Sequence, residues 1–539
     1  MKEIRKEYKS PQRKLVKFFE ESRNQWKKKC FDAKKKVKRL SNRIRFLEDS
    51  KKNLKDRVRE LKAEISRMRS DSRKKEKDFE ELKKKTEAED EKADISGYPE
   101  EFGIVPFRHT YSAGQILLSV LSVLSGATGF RGAETVTEIF VSLLRLPFSC
   151  PSWSSVRLWM LRLGYYKLTR PKEEANDWVW IVDHTIQIGA EKCLVILGIR
   201  LSNLPCPERC LNHEDLEPID IVPVRKSDGK IVWEQLENAA EKTGVPRAIL
   251  GDRGSDLRAG IEKFCRNHSE TDYLYDIKHK TAAVLKHELE NDEAWLEFAR
   301  SAAQTKLKLQ QTALAALSPP AQRSKSRYMN ADILVRWGRN ILNFFDRDDY
   351  KEICDEFGWD RDQIDEKLGW ADNFRDQTEK WEKIVNIVKI TESFVRKNGL
   401  YNNCCPELEE RLPVCTETEP AERVRKELVG FIAEEEAKVR PDERLPVSSE
   451  ALESVFGKFK QIEKDQAKSG FTGLLLSIAA MVSSTTGEVV RQAMETVPVK
   501  TVLEWYEENI GQSVQSKRKK AFASEGKAEQ KWDQLCATG

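Results

Sequence analysis

Residues 178–276 alternate between apolar runs and amphipathic segments, and this alternation restricts the fold more than any other feature of the chain. Short runs rich in Val, Ile, Leu and aromatic residues are typical of buried strands, and longer segments with apolar residues three or four positions apart are typical of helices. The predicted order is strand, strand, strand, helix, strand, helix, strand, at 179–183, 193–200, 219–224, 232–243, 248–252, 256–267 and 273–275. This order predicts an α/β unit with a mixed five-stranded sheet.

Two of the predicted strands end in a carboxylate. Asp183 follows Val-Trp-Ile-Val, and Asp252 follows Ala-Ile-Leu-Gly. Catalytic groups collect at strand ends in α/β sheets, and a divalent cation relieves the repulsion between two carboxylates held close together. Magnesium prefers oxygen ligands and suits phosphate chemistry. The chain has 89 acidic residues, so chance placement, with Asp252 in a turn before Arg-Gly-Ser, is the alternative.

A predicted helix that begins near residue 449 supplies a third acid. Glu453 lies on it, and Lys460 follows seven positions later, which is two helical turns and therefore the same face. Glu450 competes with Glu453 because it lies three residues earlier on nearly the same face. Glu463 and Asp465, further along the helix, are weaker candidates.

This arrangement of acids resembles the DDE transposases of bacterial insertion-sequence type, whose catalytic domain has the ribonuclease H-like fold. There the first acid lies on the first strand, the second just after the fourth strand and the third on a later helix. The resemblance implies that Asp183, Asp252 and Glu453 are catalytic and hold two Mg²⁺ or Mn²⁺ ions. Asp276 and His279 are similar to the Cys/Asp-x-x-His motif of hAT-like superfamilies, which also carry a helical insertion before the glutamate helix. His279 has a simpler interpretation as a helix-start residue that bonds a local backbone group.

The N-terminal arm carries a heptad repeat over 16–82, with apolar a and d positions from Val37 to Met68 except at Lys51. Sustained heptads predict a coiled coil, and one charged a position favours two strands. Residues 1–95 hold 34 basic and 20 acidic side chains, a charge of +14, although the whole chain carries only +5. We expect a basic coiled coil that forms a homodimer or higher oligomer and contacts DNA phosphates. A solvated helix whose charges only keep it soluble is the alternative.

Residues 104–170 have the pattern of three short helices. Ser112 and Ser152 are positioned as N-caps, and a glycine-rich segment at 126–132 breaks the pattern between the first two helices. Such a trio suits a helix-turn-helix reader of DNA, and an ordinary packing module is the alternative. The expected DNA contacts are Arg157, Arg162, Lys167 and, on the later glutamate helix, Lys458.

The resemblance and these patterns divide the chain into six parts. We expect a basic coiled coil (1–95), a helix-turn-helix-like module (104–170), the first part of the ribonuclease H-like core (177–281), an all-helical insertion (282–445), the second part of the core (446–511) and a flexible polar tail (512–539). Most tryptophans of the insertion are expected in its core rather than against DNA bases.

One cysteine cluster suggests a possible metal site of a different kind. Cys206, Cys210 and His213 are three possible zinc ligands. The fourth would come from Cys404, Cys405 or Cys415. Their spacing is not that of a standard zinc knuckle, so coincidence is the favoured interpretation.

Several classes of protein are disfavoured by composition. No apolar run approaches the ~20 residues that cross a bilayer. The N-terminus lacks the apolar core of a signal peptide, and eleven cysteines in a long chain do not suggest a disulfide framework. The chain contains no Walker A sequence, so nothing indicates a nucleotide-driven motor. We expect a protein of the bacterial cytoplasm that associates with the nucleoid and has no membrane partner.

The sequence therefore predicts a DNA transposase that binds transposon ends and catalyses metal-dependent cleavage and strand transfer into target DNA. One alternative is a ribonuclease H-like, structure-specific nuclease or resolvase that cleaves DNA without strand transfer. The other is a domesticated, non-catalytic DNA-binding scaffold.

Overall fold

The computed structural model of this chain describes residues 99–511 apart from 145, 147, 189–190, 323–327, 329, 415–419 and 465–471. It also describes residues 11, 14, 16, 18–27, 29–30, 34 and 521–522. The chain divides into two units, residues 1–94 and residues 95–539. The predicted coiled coil and polar tail lie almost wholly outside the described residues and stay predictions.

A five-stranded mixed sheet runs through the second unit. Its strands are β1 (Trp178–Ile188), β2 (Glu191–Arg200), β3 (Glu217–Val224), β4 (Ala248–Gly251) and β5 (Asp272–Tyr275). They lie in the order β3-β2-β1-β4-β5. β2 is antiparallel to β1 and β3, whereas β4 is parallel to β1 and β5. The C-terminal ends of β1, β3, β4 and β5 therefore share one edge of the sheet.

The predicted element order is confirmed, and the largest difference in length is in β1. β1 continues five residues past Asp183, because this stretch pairs with the start of β2, with His184 opposite Leu194 and Ile188 opposite Glu191. Helix α4 (Gly229–Thr243) follows β3 and helix α5 (Ser255–Asn267) follows β4. Asp228, at the N-cap of α4, accepts backbone hydrogen bonds from Lys230 and Ile231 at 3.0 Å each.

The remaining helices precede or follow this unit. Before it lie α1 (Ala113–Leu124), α2 (Phe130–Leu143) and α3 (Trp153–Thr169). After it come α6 (Ile277–Leu289), α7 (Glu293–Leu309), α8 (Ala331–Phe345), α9 (Tyr350–Phe357), α10 (Arg361–Leu368), α11 (Arg375–Asn398), α12 (Cys404–Arg411) and α13 (Pro420–Glu436). The chain then continues through α14 (Glu450–Lys464), α15 (Leu476–Ala480), α16 (Gly487–Thr496) and α17 (Val499–Asn509). No helix in the described residues is long and apolar enough to cross a membrane.

Alternation along β1 assigns each side chain to one face of the sheet. Trp178, Trp180 and Val182 pack in a core with α4 and α5. Val179 and Ile181 face the opposite core, which contains residues of α3 and α14. Because side chains alternate in a strand, Asp183 points to the α14 side and His184 to the α5 side.

Helix α3 is a core helix, which corrects the prediction that its basic residues contact DNA. Lys167 is 0% exposed, and its ammonium donates to the backbone carbonyls of Val482 and Ser483 at 2.8 and 2.9 Å. Arg162 is 8% exposed and donates to the carbonyl of Val497 at 2.5 Å. Arg157 is half-buried, and burial lowers its pKa. The prediction for Arg162 and Lys167 is wrong, because both side chains satisfy C-terminal carbonyl groups instead of facing solvent.

The regular secondary structure in the described residues of 282–445 is helical, apart from a bridge between Leu400 and Leu445. Phe298 is the centre of an aromatic cluster whose ring centroids lie 5.2–6.2 Å away. Its neighbours are Trp337, Trp370, Phe374 and Trp381. The three tryptophans of this cluster all pack against Phe298, as expected for a core.

Candidate active site

The sheet brings Asp183 and Asp252 to neighbouring strands. Val182 pairs with Gly251 in the parallel β1–β4 ladder, and an aspartate follows each of these residues. Adjacent strands lie about 4.8 Å apart, so the two carboxylates start from neighbouring backbone positions. The two strand-end positions alone were sufficient to predict that these aspartates lie close together.

The Asp183 carboxylate is held close to the backbone and close to other negative charges. Its Oδ1 accepts a hydrogen bond from the backbone N–H of His184 at 2.6 Å. Burial, followed by the charge of Asp252, raises the pKa of Asp183 to about 7, and the charge of Glu453 acts in the same direction. The charge of His279 lowers it. The negative charges of Asp252 and Glu453 therefore both act on Asp183, and a divalent cation relieves repulsion of this kind.

Asp252 begins the turn from β4 to α5. Its Oδ1 accepts a hydrogen bond from the Gly254 N–H at 3.0 Å. Asp252 therefore has the turn position that the sequence suggested as an alternative. The hydrogen bond to Gly254 fixes the direction of the carboxylate. A Cβ at Gly254 would lie 3.0 Å from the same oxygen, so a side chain there would crowd Asp252.

Glu453 lies in the first turn of α14. The Glu453 side chain is exposed by surface area. Desolvation by the surrounding protein, followed by the charge of Asp276, raises the pKa of Glu453, whereas the charges of His279 and Lys278 lower it. Phe456 and Phe459 of the same helix pack into the core that Asp183 faces. The helix therefore brings Glu453 to the side of the sheet where Asp183 lies.

The Asp-x-x-His pair is a helix cap in this structure. Asp276 is 0% exposed and accepts backbone hydrogen bonds from His279 at 2.9 Å and from Ser449 at 2.6 Å. The backbone of Ile277 also donates to the carbonyl of Val447 at 3.0 Å. These bonds tie the start of α6 to the segment that leads into α14, and they place the His279 ring where its charge acts on both Asp183 and Glu453.

The rival acid Glu450 is occupied elsewhere. Its carboxylate forms an ion pair with Arg396 of α11 at 2.9 Å. Glu453, in contrast, is the residue of this helix whose charge raises the pKa of Asp183. The geometry therefore favours Glu453 over Glu450 as the third acid.

The donor set suits a hard cation, but the described residues do not form a closed site. No three His, Cys, Asp or Glu side chains among them are gathered closely enough to bind one ion. The carboxylate oxygens of Asp183 and Asp252 are the ligand type that Mg²⁺ prefers, and their mutual repulsion fits a cation. Glu453 acts on Asp183 through its charge in this arrangement.

The possible zinc ligands within the described residues are likewise not gathered closely enough to bind an ion. His213 Nε2 lies 3.2 Å from Lys458 Nζ, and Cys206 is exposed. The thiols of Cys404 and Cys405 are hydrogen-bonded to Glu436 and to the carbonyl of Val429. Cys415 lies outside the described residues. Nothing in the described part of the chain assembles the zinc site.

Basic side chains also lie near the acids. Lys460 is exposed, and Lys458 is half-buried beside His213. Sequence reasoning did not select Lys278 or Arg396, which lie next to Glu453 and Glu450. Lys278 could have been identified from the sequence, since it lies inside the Asp-x-x-His segment. Arg396 could not, because its contact with Glu450 joins positions 54 residues apart.

The chain is similar to a solved structure at low sequence identity. No family model and no curated protein matches the sequence. A chain of the Drosophila P element transposase strand transfer complex is similar with a TM-score of 0.30 and 10% identity. The similarity covers 71% of this chain and 93% of that chain.

Proposed function

We propose that the protein is a DNA transposase with a ribonuclease H-like core that uses Asp183, Asp252 and Glu453 for metal-dependent phosphodiester chemistry. The observation that carries this proposal is the placement of Asp183 and Asp252, which follow the paired residues Val182 and Gly251 of the adjacent parallel strands β1 and β4. Burial and the charges of Asp252 and Glu453 raise the pKa of Asp183, which supports the same arrangement. Acids on the first strand, just after the fourth strand and on a later helix support the ribonuclease H-like assignment.

Each residue has a role in this proposal. Asp183, Asp252 and Glu453 would hold two Mg²⁺ or Mn²⁺ ions, which supply activation of a water or 3′-hydroxyl nucleophile and stabilisation of the leaving 3′-oxygen. Asp276 is a positioning residue, because it ties the α14 N-terminus to β5 through Ser449. Lys460 lies on the exposed surface of α14, where its ammonium would meet a DNA phosphate.

Transposition of the bacterial insertion-sequence type is the particular form proposed. The coiled coil would pair two subunits so that two transposon ends meet in one complex. Arg162 and Lys167 have no part in the proposed recognition of those ends, because both are buried in the core.

The test uses the full chain, a duplex that carries the DNA flanking its gene, and a supercoiled plasmid target in Mg²⁺ or Mn²⁺. We expect cleaved ends joined to the plasmid. Asp183→Asn, Asp252→Asn and Glu453→Gln should each lower joining by about 100-fold or more while duplex binding persists. Glu463→Gln, on the same helix, is the matched control and should retain activity.

The outcomes separate the rival functions. Cleavage without joined products would replace the proposal with a nuclease or resolvase. DNA binding with no metal-dependent cleavage of any substrate would favour the non-catalytic scaffold.

A further inference from the structure

Two neighbouring cavities flank the first turns of α14. One of about 270 Å³ lies among the segment after β2, the end of α11 and the residues before α14. The other, of about 360 Å³, lies between α6, α11 and α14 and is lined in part by Glu453. Arg396, Ser448 and Glu450 line both cavities, so these three residues form the boundary between them.

The boundary is an exposed ion pair. Arg396 Nη1 lies 3.0 Å from Oε1 and 2.9 Å from Oε2 of Glu450, and the two side chains are 39% and 55% exposed. Exposed ion pairs of this kind contribute little to stability, so an incoming anion can replace Glu450 at little cost. The planar guanidinium offers the same paired donors to a phosphate as to a carboxylate.

Most of the charged residues that line the first cavity are cations. Arg209, Lys397 and Arg444 join Arg396 there, whereas Glu450 is the carboxylate among its lining residues. Arg209 is also paired with Asp215, at 2.7 Å. Apolar side chains, among them Leu211 and Val447, form other parts of the wall. A positive cavity with apolar walls attracts an anion that also carries apolar surface, as each nucleotide of a nucleic acid does. Its volume is just below the usual range for ligand pockets and suits one strand rather than a duplex.

The second cavity leads to the third acid. Lys278 and Lys389 line it, and they are paired with Glu392 at 2.9 Å and with Asp332 at 3.3 Å. Its lining holds as many acids as bases, because Glu392, Glu450 and Glu453 face Lys278, Lys389 and Arg396. In the first cavity, by contrast, basic side chains outnumber the one carboxylate of the lining. A strand held by the first cavity and passing Arg396 would reach Glu453 through this space.

We propose that the two cavities form one channel for a single polynucleotide strand that leads to Glu453, and that Arg396 exchanges Glu450 for a phosphate of that strand. This inference rests on the proposed function, since it assigns the path of the DNA strand to the same acids. Glu450 then acts as the gate of the channel.

The test measures binding of a short, fluorescently labelled single-stranded oligonucleotide by anisotropy, in EDTA, at several salt concentrations. Arg396→Gln should weaken binding and reduce the salt dependence by about 0.7 in the slope of log K against log salt, the value for one lost phosphate contact on a single strand. Glu450→Gln should strengthen binding, because it frees Arg396. The double variant should keep the reduced slope of Arg396→Gln.

The matched control is the Arg375–Asp346 pair, whose side chains are 41% and 56% exposed with a 2.6 Å separation. Arg375→Gln and Asp346→Asn should leave single-strand binding unchanged. Equal effects of the control and test pairs, or weaker binding by Glu450→Gln, would overturn the channel. Equal shifts for a blunt duplex and the single strand would also overturn it, because they indicate a general phosphate-binding surface.

Failure of the channel and failure of the proposed function are distinguishable. Binding in EDTA does not depend on catalysis, so the expected binding pattern without any cleavage activity would support the channel and contradict the transposase proposal. If Arg396→Gln joined DNA ends normally and its affinity for the single strand were unchanged, the result would contradict the channel and support the transposase proposal.

Discussion

Asp276 Oδ2 accepts a hydrogen bond from the backbone N–H of Ser449 at 2.6 Å, although 173 residues separate the two in the chain. The bond crosses the whole helical insertion and joins the end of β5 to the start of the helix that carries Glu453. Because Asp276 also caps α6 through His279, one buried carboxylate fixes both helix starts.

Asp276→Asn is expected to lower the free energy of unfolding by about 1–3 kcal/mol. The amide has one acceptor oxygen where the carboxylate has two, so one of the two backbone N–H donors loses its partner in a buried place. Urea denaturation measures the change. Asp360→Asn is the control, because Asp360 caps α10 at an exposed site where asparagine caps about equally well. Equal losses in the two variants would contradict this role of Asp276.

The sequence was sufficient to predict the sheet because its information is local. Apolar runs, strand-end acids and the helical spacing between them gave the element order. The strand-end positions of Asp183 and Asp252 then followed from the sheet. The Asp276–Ser449 bond was not predictable, since nothing in the spacing says which backbone group a buried carboxylate meets across the insertion.

The raised pKa of Asp183 predicts a pH-dependent stability. In the folded chain the pKa is about 7, whereas the ordinary value is 3.8, so the folded state holds a proton that the unfolded state lacks between these values. The stability that this proton contributes is present at low pH and is lost as pH rises to about 7. In EDTA, Asp183→Asn should therefore gain about 2–3 kcal/mol relative to the unsubstituted chain between pH 5 and pH 8.

Urea denaturation at the two pH values measures this difference, and magnesium supplies a second readout. If Asp183 helps to hold the ion, MgCl₂ at pH 8 should stabilise the unsubstituted chain more than Asp183→Asn. A pH-independent difference between the two proteins would show that Asp183 is ionised throughout.

Helix α3 packs so closely on α15 that Gly164 has no space for a side chain. A Cβ there would lie 1.9 Å from the carbonyl oxygen of Leu476, which is backbone and cannot turn away. Gly164→Ala should lower the free energy of unfolding by about 1–3 kcal/mol or more, because the two helices must separate. Gly430→Ala, at an exposed site in α13 with nothing within 4 Å, should instead be neutral or stabilising. Thermal unfolding of the two variants makes the comparison.

The assignment of DNA contacts to Arg162 and Lys167 failed because charge alone does not reveal burial. Arg162 and Lys167 have the residue types of a DNA-reading helix, and the capping residues Ser112 and Ser152 were placed correctly. The carbonyl groups that these cations satisfy come from positions more than 300 residues later. A pattern within one segment carries no information about such partners.

Lys167 gives the opposite pH dependence to Asp183. Burial lowers its pKa from 10.5 to about 7, so between these values the unfolded state holds a proton that the folded state lacks. The free energy of unfolding from this group therefore rises with pH above 7. Between pH 7.5 and pH 9, the unsubstituted chain should gain about 1–2 kcal/mol relative to Lys167→Met, measured by urea denaturation. Lys286→Met, at a side chain 60% exposed, should show no such trend. A constant difference between the unsubstituted chain and Lys167→Met over this range would instead show that the carbonyls of Val482 and Ser483 keep Lys167 charged.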